Sequence, residues 1–200
     1  MNLSKKGIDL IIFYETGGSQ YYKKYLTHPV FPGAFSGVTI GCGYDLGYNT
    51  EDQFTIDWKM VLNDNDFYLL SKCLGVKGDS AKKFLDKIKD VTIPWEKALK
   101  VFEESTIPRF YNLTLKTFPG IEKLCPDAMS SIVSIVFNRG SSLKGDSRRE
   151  MREIVKLVPK KDYKGIANQI RSMKRLWEGK GLEGLLKRRD AESDLVESCS

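Results

Sequence analysis

One segment limits the architecture more than any other. Between Pro126 and Phe137, the side chains Met129, Ile132, Val133, Ile135, Val136 and Phe137 leave almost no polar face. A helix that is apolar all round must be enclosed by other elements. A chain of 200 residues is long enough to build that enclosure around one full-sized core. The segment ends at Asn138-Arg139-Gly140, where Gly140 suits the position just past a helix C-terminus. Asn138 and Arg139 at the end of a buried helix need partners, drawn either from the backbone or from a bound ligand.

The second informative stretch is Ser36-Gly37-Val38-Thr39-Ile40-Gly41-Cys42-Gly43-Tyr44-Asp45-Leu46-Gly47. Val38 and Ile40 alternate with Thr39 and Gly41, the period of a half-buried strand. Its glycines permit sharp bends, so a small hairpin or sheet is expected in a chain that otherwise reads helical. Upstream, Ser4 to Glu15 forms an amphipathic helix with Ile8, Ile11 and Ile12 as its stripe. Glu15 falls on that apolar face, in the last turn before Gly17-Gly18. A carboxylate placed there suits a general acid; the structural reading is a paired surface Glu at a frayed end.

Further helices follow. Thr50 with Gln53, and Ser147 with Glu150, have the spacing of capping boxes. Asn63-Asp64-Asn65-Asp66 reads as a turn and cap, because it lacks the glycine and distal Glu of a calcium loop. Pro108 should kink or divide the helix that starts at Pro94. Ile166, Ile170, Met173 and Trp177 recur at helical spacing, with Trp177 free to face a cleft. The predicted fold class is α+β and predominantly helical. We expect a single domain over 1–200, with a small α+β lobe near 15–60 and a helical lobe over about 61–200, helix 1 being associated with it.

Several function classes are excluded or weakened. No stretch reaches the ~18 apolar residues of a membrane span, so no stable membrane insertion is expected. The N-terminus shows no small-residue cleavage site, so no signal peptide is read there. The only histidine, His28, removes multi-histidine metal sites and weakens a His-based triad. No metal and no organic cofactor is expected. Cys42, Cys73, Cys125 and Cys199 form no metal-like spacing and read as scattered reduced thiols. Lys and Arg total 32 against 26 acids, a net charge of +6. That charge fits an anionic polymer as partner, and no nucleic-acid motif accompanies the basic runs.

Glu15 ending an apolar helix, followed by Thr39-Ile40-Gly41-Cys42-Gly43 on a hairpin, resembles the phage-type lysozyme family. Val136-Phe137-Asn138-Arg139-Gly140 is similar to that family's buried helix, and Leu185 to Glu192 to its basic C-terminal segment. The resemblance implies a lysozyme-like fold, with a small β lobe beside a larger helical lobe. It also implies a muramidase that cuts the β-1,4 bond between N-acetylmuramic acid and N-acetylglucosamine. The standard phage enzymes carry their catalytic Asp at a position corresponding to Gly33, and no acid occurs from Thr16 to Ile40. The chain instead resembles the pesticin-like bacteriocin branch and secreted antibacterial effectors, with the Asp just after the strand. On that resemblance Glu15, Thr39 and Asp45 are the catalytic set. Asn138, Arg139, Trp177, Arg188 and Arg189 are candidates for substrate contact, and Arg188 or Arg189 for pairing with Glu15. Bacterial peptidoglycan is the expected partner, met as a monomer in the periplasm or cell wall. Delivery by a holin, a secretion system or a translocation domain, and an immunity or inhibitor protein, go with that setting. The alternative is an inactive peptidoglycan-binding module on the same fold.

Overall fold

The computed structural model describes residues 1–199. Helices α1 (Lys5–Thr16) and α2 (Ser19–Tyr25) precede an antiparallel hairpin of β1 (Thr39–Ile40) and β2 (Tyr44–Asp45). Then come α3 (Glu51–Trp58), α4 (Asp64–Ser71), α5 (Gly78–Lys82), α6 (Leu85–Ile88) and α7 (Trp95–Val101). A π-helical stretch, Phe102–Thr106, leads into α8 (Ile107–Thr117), followed by α9 (Pro126–Arg139), α10 (Arg149–Leu157), α11 (Tyr163–Ser172) and α12 (Glu183–Glu197). Helix accounts for 66% of the chain, which is the predominantly helical α+β architecture the sequence implies. Pro108 explains the irregular turn before α8. It has no N–H to bond the carbonyl of Glu104, so the regular ladder cannot run through.

The chain forms two compact units, one of Met1–Tyr14 together with the chain from Pro108 onward, the other of Glu15–Ile107. The sequence pattern put the end of the hairpin lobe near residue 60; the unit that holds the hairpin runs on to Ile107.

In the first unit, α9 is enclosed as its composition demands, with every residue from Ala128 to Val136 buried. Met129, Ile132, Ile135 and Val136 share a core with Met151 and Ile154 of α10, Ile166 and Ile170 of α11, and Val196 of α12. The three serines of α9 let a buried helix carry polar groups, because each finds a partner. Ser130 Oγ donates to the Pro126 carbonyl, and Ser131 Oγ to the Glu192 carbonyl. Ser134 Oγ donates to Glu192 Oε1 at 2.5 Å. Ser130 Oγ also accepts from the backbone N–H of Ser4, ahead of α1. There α1 approaches so closely that a Cβ on Gly7 would lie 2.0 Å from the Ser130 Cβ.

Two of the four cysteines depart from the expected reduced state. Cys125, the residue that caps α9, is disulfide-bonded to Cys199, which lies two residues past the end of α12. A separation of 74 residues hides this pairing from any local pattern. Cys42 and Cys73 are buried free thiols.

In the second unit, Val38, Ile40, Leu46, Phe54 and Trp58 are buried, so the alternation read over Val38 to Ile40 holds. The strands are only two residues each. The hairpin is pinned to α3: Tyr44 Oη donates to Asp57 Oδ2 at 2.8 Å, and the Tyr44 ring meets Trp58 edge-on at 5.6 Å. Thr50 caps α3 by accepting from the Gln53 N–H, and Asn63 caps α4 through the Asp66 N–H, as the spacings imply. The Ser147–Glu150 box does not form. Glu150 is buried and receives the Arg175 guanidinium at 2.5 Å instead.

Two stability predictions follow from the first unit. Gly7→Ala should destabilise despite alanine's better helix propensity of about 1 kcal/mol, because overpacking costs about 1–3 kcal/mol. A net loss of up to about 2 kcal/mol in urea unfolding is expected; a gain would mean that α1 moves aside freely. Cys199→Ser, or reduction with dithiothreitol, should lower stability by about 2–4 kcal/mol, the range typical of disulfides. Dithiothreitol should have no further effect on the melting of the mutant.

Candidate active site

The hairpin register puts Thr39 directly opposite Asp45, and Ile40 opposite Tyr44. Cross-strand partners of this kind present their side chains on one face. The two are therefore neighbours across the ladder, although six positions separate them in sequence. Glu15 joins them from the last turn of α1. Its Oε2 lies 3.3 Å from where a Cβ on Gly43 would sit, and Gly43 adopts a φ of +74°. Glycine at 43 thus permits both the hairpin turn and the close approach of the carboxylate. A cavity of about 430 Å³ is lined by Glu15, Thr39 and Asp45 with Leu26, Val30, Pro32, Ser36, Gly41 and Gly43. The three residues expected to form the catalytic set share this one space.

Asp45 is held by backbone donors. The Gly37 N–H reaches both carboxylate oxygens, at 3.0 and 3.1 Å, and the Gly47 N–H reaches Oδ1 at 2.8 Å. Asp45 also caps the 3₁₀ turn Leu46–Tyr48 through that second donor. Asn49 Nδ2 donates to its carbonyl at 2.8 Å. A carboxylate offers about four lone-pair directions, so these contacts orient the group and still leave acceptor capacity on Oδ2. Gly37 was not singled out by sequence reasoning. The signal was the glycine itself: a Cβ there would lie 2.3 Å from the Gly47 nitrogen and 2.4 Å from Asp45 Oδ1.

Thr39 is held at its main chain. Its N–H and carbonyl form a bridge with Val30, at 2.8 and 2.9 Å. A cysteine-based hydrolase finds no support at this site. Burial, with the negative charges of Glu15 and Glu103 adding to it, pushes the Cys42 thiol up to about 12. A thiol so raised is protonated near neutral pH and is a poor nucleophile. His28 is exposed, and its Nδ1 lies 3.0 Å from the Val91 carbonyl.

The first unit gathers the other candidates in two different settings. Asn138, Arg139 and Trp177 line a cavity of about 440 Å³ with Ser147, Arg148, Leu176 and Leu185. Arg139 donates to the Ser147 carbonyl, Arg148 donates to the Arg139 carbonyl, and the Arg139 guanidinium lies 5.1 Å from the Trp177 ring centre. Asn138 Oδ1 and Arg139 Nη1 are buried with no hydrogen-bond partner. Burial, followed by the charges of Arg148 and Arg189, pulls the Arg139 guanidinium down to about 10. The site is thus polar, cationic and incompletely satisfied, which suits a polar or anionic ligand group.

Arg188 and Arg189 lie in the interior, at 2% and 0% exposure. Arg189 Nη2 donates to Glu192 Oε1 at 2.7 Å, and Arg188 Nε reaches the same oxygen at 3.2 Å and Ser134 Oγ at 3.3 Å. Arg188 also lies 5.7 Å from the Tyr14 ring centre. Arg188 thus helps hold α12 against α9, Arg189 is paired within α12, and Arg189 has no exposed surface to offer a substrate. Among the described residues, no group of three or more His, Cys, Asp or Glu side chains is arranged to hold a metal ion.

Comparison with known proteins divides along the chain. Residues 11–113 match a family described only as a domain of unknown function (DUF8812), and this match contains Glu15, Thr39 and Asp45. No curated protein matches the chain. Residues 73–192, more than half of the chain, match the family described as phage lysozyme, and that match contains Asn138, Arg139, Trp177, Arg188 and Arg189. With a predominantly helical fold, a small two-stranded sheet and a family of peptidoglycan-degrading glycoside hydrolases matched over most of its helices, the chain belongs to the phage lysozyme family.

Proposed function

We propose that this protein is a muramidase that hydrolyses the β-1,4 bond between N-acetylmuramic acid and N-acetylglucosamine, with Glu15, Thr39 and Asp45 as its catalytic set. The observation that carries this reading is the single cavity lined by all three. A glycosidase needs an acid for the leaving oxygen and a second group for water or for the developing charge on the sugar. Glu15 donates the proton. Asp45, oriented by Gly37 and Gly47, uses its remaining acceptor capacity to position the attacking water, and the Thr39 hydroxyl opposite holds that water from the other side. A water held between the sugar and a carboxylate makes the displacement inverting. Asn138, Arg139 and Trp177 contact polar groups of the same polymer.

The acid that follows the hairpin strand, in place of one preceding Thr39, favours the pesticin-like bacteriocin and antibacterial effector branch of the family. In that setting the protein is a monomer that acts in the bacterial wall compartment after delivery by a holin, a secretion system or a translocation domain, with an immunity protein as counterpart.

One observation favours a second reading, that of a wall-binding module without activity: Asp45 already has a structural task as the cap of the 3₁₀ turn. Release of reducing sugar from purified peptidoglycan decides between the two, since a binding module releases none.

Two substitutions test the roles. Glu15→Gln should cut the lysis rate of outer-membrane-permeabilised Gram-negative cells by roughly 10²–10⁴-fold, the usual worth of a general acid, with an unchanged circular dichroism spectrum. Wild-type lysis by this variant would remove Glu15 from the acid role. Asp45→Asn can keep one oxygen accepting from both the Gly37 and Gly47 N–H groups, but puts an NH₂ donor at the Oδ2 position, where the water is held. It should slow the reaction by at least about 10²-fold while leaving the 3₁₀ turn capped, read as unchanged hydrogen exchange at Gly47. Near-full activity would show that the water is positioned by another group.

A further inference from the structure

The loop from Val30 to Thr39 carries a feature that the catalytic set does not use. Phe35, at its tip, is 83% exposed. Single exposed apolar side chains are common on surfaces and need no explanation when they sit on mobile or unconstrained chain. This one does not. The loop is closed at its base by the Val30–Thr39 bridge. The Ser36 N–H bonds the Gly33 carbonyl at 3.1 Å, and the Gly78 N–H bonds the Ser36 carbonyl at 2.9 Å. Tyr48 Oη donates to the carbonyl of Phe35 itself at 3.2 Å, and the Lys77 ammonium lies 3.5 Å from the Tyr48 ring centre. The Gly37 N–H ends the loop on the Asp45 carboxylate.

The backbone is also strained at this place. Ala34 has a φ of +50°, one of two non-glycine residues in the left-handed region among those described. A side chain there costs of order 1 kcal/mol. Ala34 directly precedes Phe35 in a loop whose main chain is bonded at Val30, Gly33, Phe35, Ser36, Gly37 and Thr39. A mobile loop relaxes such strain; this one is tied so that it persists. Pro32 and Ser36, three residues before and one after Phe35, both line the cavity shared by Glu15, Thr39 and Asp45. Phe35 thus lies in the chain between two residues that line that cavity and is not itself part of its lining.

We propose that Phe35 is a substrate-binding residue whose ring stacks on the apolar C–H face of a sugar in the glycan strand. The proposal rests on the muramidase reading and deepens it. A pyranose offers one face of axial C–H groups, which an aromatic ring desolvates and matches without needing a hydrogen bond. The same loop that bears the ring also supplies the N–H that orients Asp45 and the bridge that holds Thr39. A sugar seated on Phe35 is thus fixed in register with both groups. A rigid mount matters here, because a ring already held in place gives up little conformational freedom when the glycan binds.

The test uses the full chain with purified peptidoglycan. Turnover is measured by reducing-sugar release for wild type, Phe35→Ala and Phe35→Trp. Binding to insoluble peptidoglycan is measured by sedimentation in a Glu15→Gln background, with and without Phe35→Ala. Phe35→Ala should raise KM and weaken binding about five- to tenfold, with the effect in KM rather than kcat. Phe35→Trp should restore both. The thermal midpoint should not move, because the ring buries almost nothing. If wild type turns over and Phe35→Ala keeps its KM and binding, the stacking role is wrong and the muramidase reading stands. A lowered melting temperature with an unchanged KM would make Phe35 structural and would overturn the proposal equally. If wild type releases no reducing sugar, the muramidase reading itself fails, and the stacking role falls with it.

Discussion

The Asp45 carboxylate, held by the N–H groups of Gly37 and Gly47, is the contact on which the hairpin unit is organised. It ties together three stretches, the loop before β1, the end of β2 and the 3₁₀ turn that leads to α3, alongside the Leu46 N–H to Val38 carbonyl bond and the Tyr48 Oη to Phe35 carbonyl bond. Each of these positions has its own geometric demand. A Cβ on Gly37 would collide with the Gly47 backbone, and one on Gly47 would lie 2.7 Å from the Val76 carbonyl. The close packing of these backbones lets N–H donors reach the carboxylate at hydrogen-bond distance. A charge oriented by main-chain donors requires no second side chain to hold it, and this leaves the cavity wall open toward Glu15 and Thr39. The capping task of Asp45 is compatible with the chemistry proposed for it. A group that positions water must itself be immobile, and capping a turn is one way to make it so.

The first unit depends on a different arrangement of the same kind. Glu192 accepts from Ser134, Arg188 and Arg189 through one oxygen, and its carbonyl accepts from Ser131. Charges buried at this depth are costly unless paired and hydrogen-bonded. Here the pairing lies mostly within α12 itself and the serines of α9 add to it, while Arg189 Nε and Nη1 and Glu192 Oε2 are buried without a hydrogen-bond partner. The result fixes the register of α12 on α9, at the other end of which Cys125 and Cys199 are cross-linked. Removing Glu192 alone would leave two buried guanidinium groups facing one another, which is why the arrangement behaves as a unit and not as three separate contacts.

Much of this was legible in the sequence because it is local. The enclosed helix, the amphipathic α1, the caps at Thr50 and Asn63 and the division at Pro108 each follow from residues within a few positions of one another. The hairpin was legible for the same reason, and its register placed Thr39 against Asp45. What escaped is non-local. Glu150 has the spacing of a capping box, and Arg175, from another part of the chain, outcompetes the backbone for it. The Cys125–Cys199 pair spans too many residues for spacing to announce it. Arg188 and Arg189 read as a basic, ligand-facing run, although Glu192 stands four and three positions further on, at the spacing that lets a helix pair its own charges. The resemblance pointed these arginines to substrate or to Glu15, and the i, i+3 and i, i+4 spacing to Glu192 is the local signal for the pairing within α12. Gly37 escaped because a glycine announces freedom of the backbone more readily than the service of its N–H.

The two family matches cover different parts of the chemistry. The phage lysozyme match covers the enclosing helices and the Asn138–Arg139–Trp177 cluster, and stops short of Glu15, Thr39 and Asp45. Membership therefore supports the class of substrate and not the identity of the reacting groups, because function resides in the site and not in the fold that carries it. The catalytic assignment stands on geometry instead. No acid occurs between Thr16 and Ile40, and Asp45, placed opposite Thr39 by the hairpin register, lines the same cavity as Glu15. Moving the acid from one side of a strand to the other keeps it beside Thr39 only if the strand turns back on itself, and the Gly41–Gly43 turn achieves that within three residues. In this chain the short hairpin is thus the condition for the proposed chemistry: lengthening it would carry Asp45 out of register with Thr39 and out of the cavity that Glu15 lines.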